Sequence, residues 1–339
     1  MNKKIKRLSL TIALIHLLQN DYCLAKDNSF SNIFNEQNNL TGQYGANQLD
    51  FYYHFNNLIK DPLILDEVQK YFPRNKFDSD EEAMFFYNKY FKVIADCGCG
   101  YTAVINSIFE YFNGREEDFL NTFNFPMYNM YNDNKIDYNY ELLVLKFFNY
   151  VVLESHAEDY CLDDVIKYFE KDYYSYKLQL FQSNPDFQKK LPKDFHKYTK
   201  SDWDNWNKYT EERNNQFKIL YNKWLEAENV YKNFGLPIEI ELGDIKGFLK
   251  QYNIDINVDI KRTKKFFSIN DILACHNFTL YKINKDGDII DTIDHVASHY
   301  VYISDITEDG KIIVSSWGKE YLFDNEESSW TYRLTLKYK

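Results

Sequence analysis

The chain reads as an α+β protein, helical through its first two thirds and an antiparallel sheet in its last third. Two observations predict this. Up to about residue 235, apolar residues recur at the three- and four-residue spacing of buried helix faces. Beyond Gly235 and Pro237 they fall into short alternating runs, and the pairs Asp286-Gly287 and Asp309-Gly310 between runs read as hairpin turns.

Each part follows in order. Lys3, Lys4, Lys6 and Arg7 precede an uncharged run over 8–18, and Cys23-Leu24-Ala25 follows. That layout predicts a secretory signal peptide over 1–25, cut after Ala25, and hence a secreted or extracytoplasmic protein. The alternative is an amphipathic first helix of a cytoplasmic one. Residues 26–78 form an N-terminal extension rich in Asn, Ser and Gln at its start. Gly42 and Gly45 interrupt any pattern there, so it is expected to be loosely structured to about residue 60. Ser79-Asp80-Glu81-Glu82 fits a capping box, and Ala83, Phe86, Tyr87, Tyr90 and Phe91 give the helix behind it an apolar face. A second helix starts near Tyr101, buries Val104, Ile105, Ile108, Phe109 and Phe112, and stops at Gly114. Residues 115–235 read as a helical insertion. Its 141–153 run is too apolar to be exposed, and 201–234 makes one long helix with Trp203, Trp206 and Trp224 as packing anchors. Residues 236–339 carry a short helix over 244–252 and strands over 278–283, 300–306, 312–317 and 330–336.

Composition narrows the function. Hydrophobic residues make up 45% of the chain, enough for a sizeable core, which excludes wholesale disorder. Net charge is −11 and no basic stripe occurs beyond the first seven residues, which argues against nucleic acid and against an anionic membrane surface as partners. No later stretch is long and apolar enough to span a bilayer. Five cysteines, Cys23, Cys97, Cys99, Cys161 and Cys275, are too few for a disulfide framework. Two of them lie close together, which points to chemistry at one.

Cys99 is the candidate nucleophile. It sits between Gly98 and Gly100 just before a helix, where the tight turn leaves the sulfur approachable. The first turn of a helix favours thiolate over thiol and offers N–H groups to an oxyanion. The bland alternative is a buried structural cysteine. Cys97 is a weaker candidate, and an oxidised Cys97–Cys99 pair would switch such a site off. His299 opens a strand whose alternation puts it on one face with Val301 and Ile303. Such a histidine is either a satisfied core residue or a base held at a sheet edge.

The return strand after Asp309-Gly310 ends in Ser315-Ser316-Trp317-Gly318. Together these segments resemble the papain-like cysteine peptidase superfamily in its broad sense. In that superfamily a Cys at a helix start comes early, a His opens a late strand, and the next strand brings an Asn or Asp in an Asn-Ser-Trp-Gly motif. Cys99-Gly100-Tyr101-Thr102-Ala103 is likewise similar to the Cys-Gly-x-x-Ala helix start of bacterial relatives, including the bacteriocin-processing group. The resemblance covers about 91–113 and 240–323. It implies a papain-like fold, 79–114 as its nucleophile-bearing helices and 236–339 as its sheet, with 115–235 inserted between them. It implies a peptidase or amidase acting on a peptide or protein substrate without cofactor or metal. Its site would be Cys99, His299 as base, and Ser315, sixteen residues after His299, as the group orienting the imidazole, with Trp317 as its shield. Ser316 is the alternative orienting group.

The sequence departs from the family pattern at two points. A serine stands where the family has Asn or Asp. The family's Gln a few residues before the Cys is missing; Gln69, thirty residues upstream, is the nearest. The backbone N–H of Cys99, or Asn88, would have to serve the oxyanion. These departures leave a non-catalytic binding protein or secreted effector on the same fold as the alternative function, and transfer to an amine as an alternative outcome. A zinc site from Cys97, Cys99 and His299 or His295 matches the usual ligand spacing poorly, Glu154-Ser155-His156 reads as a solvated turn, and 284–288 reads as a hairpin turn, not a calcium loop.

Overall fold

The computed structural model describes Tyr44 and residues 47–339, except 131–135, 158–160, 186–196, 198, 237 and 285. The expected signal segment over 1–25 lies outside the described residues. The chain divides into two compact units. One holds the described residues up to Glu67 with Phe91–Ser155 and Ile238–Lys339; the other holds Val68–Tyr90 and His156–Pro237.

The first unit is built on an eight-stranded antiparallel sheet. Its strands are β3 (Ile256–Arg262), β4 (Ile272–His276), β5 (Phe278–Ile283), β6 (Ile289–Val296), β7 (His299–Ile306), β8 (Ile312–Ser316), β9 (Lys319–Asp324) and β10 (Trp330–Tyr338), in spatial order β3-β10-β4-β7-β8-β9-β5-β6. A two-stranded ribbon, β1 (Tyr128–Met130) and β2 (Ile136–Tyr138), stands apart from it. The four strands read from alternation are present. β3, β4, β6 and β9 are additional, and β4 (Ile272 to Cys275 wholly buried) has no alternation to read. Strand alternation gives the sheet two different faces. On one, Leu273, Cys275, Leu280, Val301, Ile303, Val314, Tyr321 and Phe323 pack into a core with Trp317. On the other lie Ile272, Tyr302 and Ser315, in register with one another across β4, β7 and β8, with Tyr300 paired to Ala274 beside them.

Helices cover the second face. The helices preceding the sheet are α1 (Asp50–Tyr53), α2 (Phe55–Leu58), α3 (Pro62–Tyr71), α4 (Asp80–Cys97), α5 (Cys99–Phe112), α6 (Glu116–Phe123), α7 (Tyr140–Asn149), α8 (Leu162–Ser183) and α9 (Lys200–Asn233), with α10 (Leu242–Gln251) just before β3. α5 is the central one. All five apolar residues assigned to it are buried, each contributing about 1.5–3 kcal/mol by leaving water. It runs along the sheet from Gly100 beside the Tyr300 ring to Ser107 Oγ, 3.1 Å from Tyr338 Oη, and Tyr111 stacks on Tyr338 at 4.1 Å. α7 packs behind it, with Phe147 and Phe148 each 5.2 Å from the Tyr101 ring. The apolar run read as buried thus belongs with the sheet, so 115–155 falls in the first unit and not with the helices that follow.

The stretch expected to be loosely structured to about residue 60 is helical over Asp50–Tyr53 and Phe55–Leu58. Phe51 and Phe55, one turn apart in α1 and α2, both bury against Phe91 at 5.5 and 5.6 Å, which gives the segment a reason to be helical that its polar composition hides.

The second unit is helical. α8 and α9 pack on each other through Tyr173, Tyr174 and Ala227, with Trp224 donating to Ser175 Oγ at 3.0 Å. The first half of α4 lies here: Phe86 and Tyr90 pack with Phe72 and Phe169. Its capping box is half made. Ser79 Oγ accepts from Glu82 N–H at 3.2 Å, while the buried Glu82 carboxylate takes Asp78 N–H at 2.8 Å and Tyr174 O–H at 2.6 Å. No helix among the described residues is long and apolar enough to cross a membrane.

Candidate active site

α4 and α5 would be one helix but for Gly98. A Cβ there would lie 2.2 Å from the Ile94 carbonyl oxygen, so only glycine permits the turn that ends one helix and starts the next. Cys99 is the first residue of α5 and is buried, at 6% exposure. Thr102 closes that first turn, its N–H to Gly98 O at 3.0 Å and its hydroxyl to Cys99 O at 2.9 Å. In an unbroken helix the Ala95 carbonyl would accept from the Cys99 N–H. Here it accepts from the side-chain amide of Gln48, at 2.8 Å.

Gln48 is the residue that sequence reasoning missed. The search for an amide upstream of the cysteine stops at Gln69, which instead hydrogen-bonds Tyr87 in the helical unit. Gln48, 6% exposed, reaches the α4–α5 junction from the segment just before α1. Its segment is fixed on three sides: Tyr140 O–H donates to Asn47 O at 3.1 Å, Asn47 bonds Asp50, and Leu49 packs against the core cluster that contains Trp317. No sequence spacing announces it, because its partner Ala95 lies 47 residues further along the chain.

His299 opens β7 and is 6% exposed. Its Nε2 lies 2.7 Å from Ser316 Oγ, and its ring stacks on Trp317 with centroids 4.4 Å apart and planes 21° from parallel. Burial pushes the imidazole pKa down to about 3, so the ring is neutral at physiological pH. The assignment of Ser315 as the orienting group is therefore corrected. Ser315 pairs directly with Tyr302 and shares its face of the sheet, whereas His299 shares the face of Val301 and Ile303. The Ser315 hydroxyl is buried with no hydrogen-bond partner.

Trp317 and Gly318 form the two-residue turn between β8 and β9, with Ser316 paired to Lys319. Both have positive φ, 46° and 73°, as the hairpin turn with two left-handed residues requires. An aromatic residue is costly in that conformation. The stack on His299 and the edge contact with Tyr321 at 6.1 Å hold it there.

The two halves of the site meet through their chain neighbours. A Cβ on Gly100 would lie 3.5 and 3.7 Å from two ring carbons of Tyr300, and 3.1 Å from Ile240 Cδ1. Burial above all raises the Tyr300 hydroxyl's pKa, and Cys99 and Glu239 add to it. Cys99 is thus flanked by the residue that follows His299, and Gln48 stands one turn before it. Cys97, half-buried, ends α4. Burial raises the Cys275 thiol to about 12, which makes it inert. Among the described residues no group of three or more His, Cys, Asp or Glu side chains could hold a metal ion; His295 bonds Asn277 at 3.0 Å on an exposed edge. No protein-family profile, curated protein or solved structure matches this chain.

Proposed function

We propose that this chain is a cysteine hydrolase of papain-like fold, cleaving a peptide, isopeptide or other amide bond through a thioester. The observation that carries the reading is the state of His299. Its Nε2 is held by a buried hydroxyl, its face is covered by Trp317, and its neighbour Tyr300 lies against the helix start that bears Cys99. A histidine used only for packing does not need this support; a base whose second nitrogen must face a thiol does.

In this mechanism Cys99 Sγ attacks the carbonyl carbon while Nδ1 of His299 takes the thiol proton. Because burial disfavours the imidazolium, the resting pair is thiol and imidazole, and the proton moves as the S–C bond forms. The oxyanion receives the N–H groups of the α5 start and the amide of Gln48. The C–N bond then breaks, with the proton passing from His299 to the leaving amine. Water, deprotonated by His299, cleaves the thioester and frees Cys99. Ser316 accepts the Nε2 hydrogen throughout and fixes the tautomer.

A second reading is favoured by the same burial: a non-catalytic binding protein on this fold, with His299 a satisfied core residue. One experiment separates the two. In reduced protein, iodoacetamide labels Cys99, located by peptide mass spectrometry, and His299→Ala slows that labelling at least tenfold. Labelling that proceeds equally in both proteins would leave the binding protein as the answer.

A further inference from the structure

The burial of Cys99 conflicts with its task. A nucleophile must meet a carbonyl carbon, and the oxyanion must reach the N–H groups at the α5 start. Yet Gly98, Cys99 and Gly100 are all buried. Part of the cover comes from the segment just before α10. Tyr101 donates its phenol hydrogen to Ile238 O, 137 residues further along the chain, at 2.9 Å. A Cβ on Gly100 would lie 3.1 Å from Ile240 Cδ1. Gly100 and Tyr101 are the two residues that follow Cys99, so the segment lies over the helix start itself. Glu239, between the two anchors, is exposed.

The segment is held less firmly than the helix it leads into. α10 buries Ile245, Phe248 and Leu249 at 2% exposure or less, with Phe248 packed 4.7 Å from the Phe147 ring. Its first turn is tied down too: the buried Asp244 carboxylate accepts from Glu241 N–H at 2.7 Å and from the Ser155 hydroxyl. Residues 238–240 contain no buried side chain, since Ile238 and Ile240 are only half-buried. A segment with little buried apolar area, joined to a well-packed helix, is the part of a fold that opens locally before the rest.

We propose that residues 238–240 form a strap that keeps Cys99 latent. Closed, the strap lies over the α5 start and bars substrate from the thiol and from the oxyanion N–H groups. Open, it pivots where α10 begins and bares both. The inference rests on the hydrolase reading and adds a control to it. Substrate and strap compete for one place, so the apparent affinity for substrate falls by the fraction of molecules that stand open. Loosening either anchor therefore raises reactivity at Cys99 without altering Cys99, His299 or Gln48.

The test times iodoacetamide alkylation of the whole reduced chain by peptide mass spectrometry, in the wild type, Tyr101→Phe and Ile240→Ala. Cys275, wholly buried in the sheet core, reports on unfolding of the fold as a whole. Tyr101→Phe removes one hydrogen bond from the closed strap and speeds Cys99 roughly two- to tenfold. Ile240→Ala removes the side chain over Gly100 and speeds it roughly tenfold. Cys275 keeps its wild-type rate in both. Wild-type Cys99 rates in both variants overturn the strap, and slower labelling in His299→Ala then leaves the hydrolase standing. Acceleration of Cys99 and Cys275 by the same factor means that the whole fold has loosened, which also overturns the strap. Acceleration of Cys99 alone that persists undiminished when His299→Ala is added upholds the strap as a cover and brings down the hydrolase reading.

Discussion

Two adjacent serines in one strand make opposite predictions. Ser316 Oγ and His299 Nε2 are 2.7 Å apart, and both residues are 6% exposed, so water cannot replace either partner. Ser316→Ala removes the hydroxyl and leaves a buried ring nitrogen unpaired. Stranding such a group costs about 1–3 kcal/mol, more than the net worth of an ordinary hydrogen bond. Ser315 is 3% exposed, and its Oγ has no partner to lose. Ser315→Ala takes an unsatisfied hydroxyl out of a buried site, so stability changes between zero and a gain of about 1 kcal/mol. The assay is urea unfolding, followed by far-ultraviolet circular dichroism for the purified wild type and the two variants. With a denaturant slope of about 2 kcal/mol per molar, Ser316→Ala lowers the midpoint by roughly 0.5–1.5 M and Ser315→Ala leaves it in place or raises it. Iodoacetamide rates give a second readout: Cys99 slows in Ser316→Ala and not in Ser315→Ala. If Ser315→Ala costs as much as Ser316→Ala, the face assignment of β7 and β8 is wrong, and so is the support claimed for His299.

Other consequences are sharper in pH, sterics and the second unit. The His299 pKa falls from 6.5 in the unfolded chain to about 3 in the fold, so its contribution to stability is present above pH 6.5 and is lost as pH falls toward 3. At pH 5 that loss is about 2 kcal/mol, measured as the extra acid sensitivity of the wild type over His299→Gln; parallel stability curves between pH 7 and 5 would refute it. Gly98→Ala forces a Cβ to within 2.2 Å of the Ile94 carbonyl oxygen, so the α4–α5 turn must shift. The expected cost is about 1–3 kcal/mol in urea unfolding with at least a tenfold loss of Cys99 alkylation rate. Tyr174→Phe strands one oxygen of Glu82, which is 2% exposed, and lowers stability by about 1.5–3 kcal/mol in the same assay. Hydrogen peroxide joins Cys97 to Cys99 with two waters released per peroxide consumed; the product appears as a two-hydrogen mass loss that dithiothreitol reverses and Cys97→Ser abolishes.

Much of this protein is written in local pattern. The apolar spacing of α4 and α5, the glycine between them, the alternation of β7 and the Asp-Gly turns are properties of a few consecutive residues. Period and turn chemistry therefore reveal them without knowledge of the fold. Cys99 at a helix start and His299 at a strand start belong to this class. Tertiary structure decided what depends on parity and on distant chain. Whether Ser315 or Ser316 meets His299 turns on one residue of register across β7 and β8, and a single step exchanges the two faces of a strand. Strands β4 and β6 have no pattern of their own, because burial on both faces or exposure on both erases alternation. Gln48 arrives at the α4–α5 junction only because a long segment of chain folds back to Ala95, one turn before Cys99. The sequence names the sulfur and the imidazole; the groups around them are chosen by packing, which no window of neighbouring residues can encode.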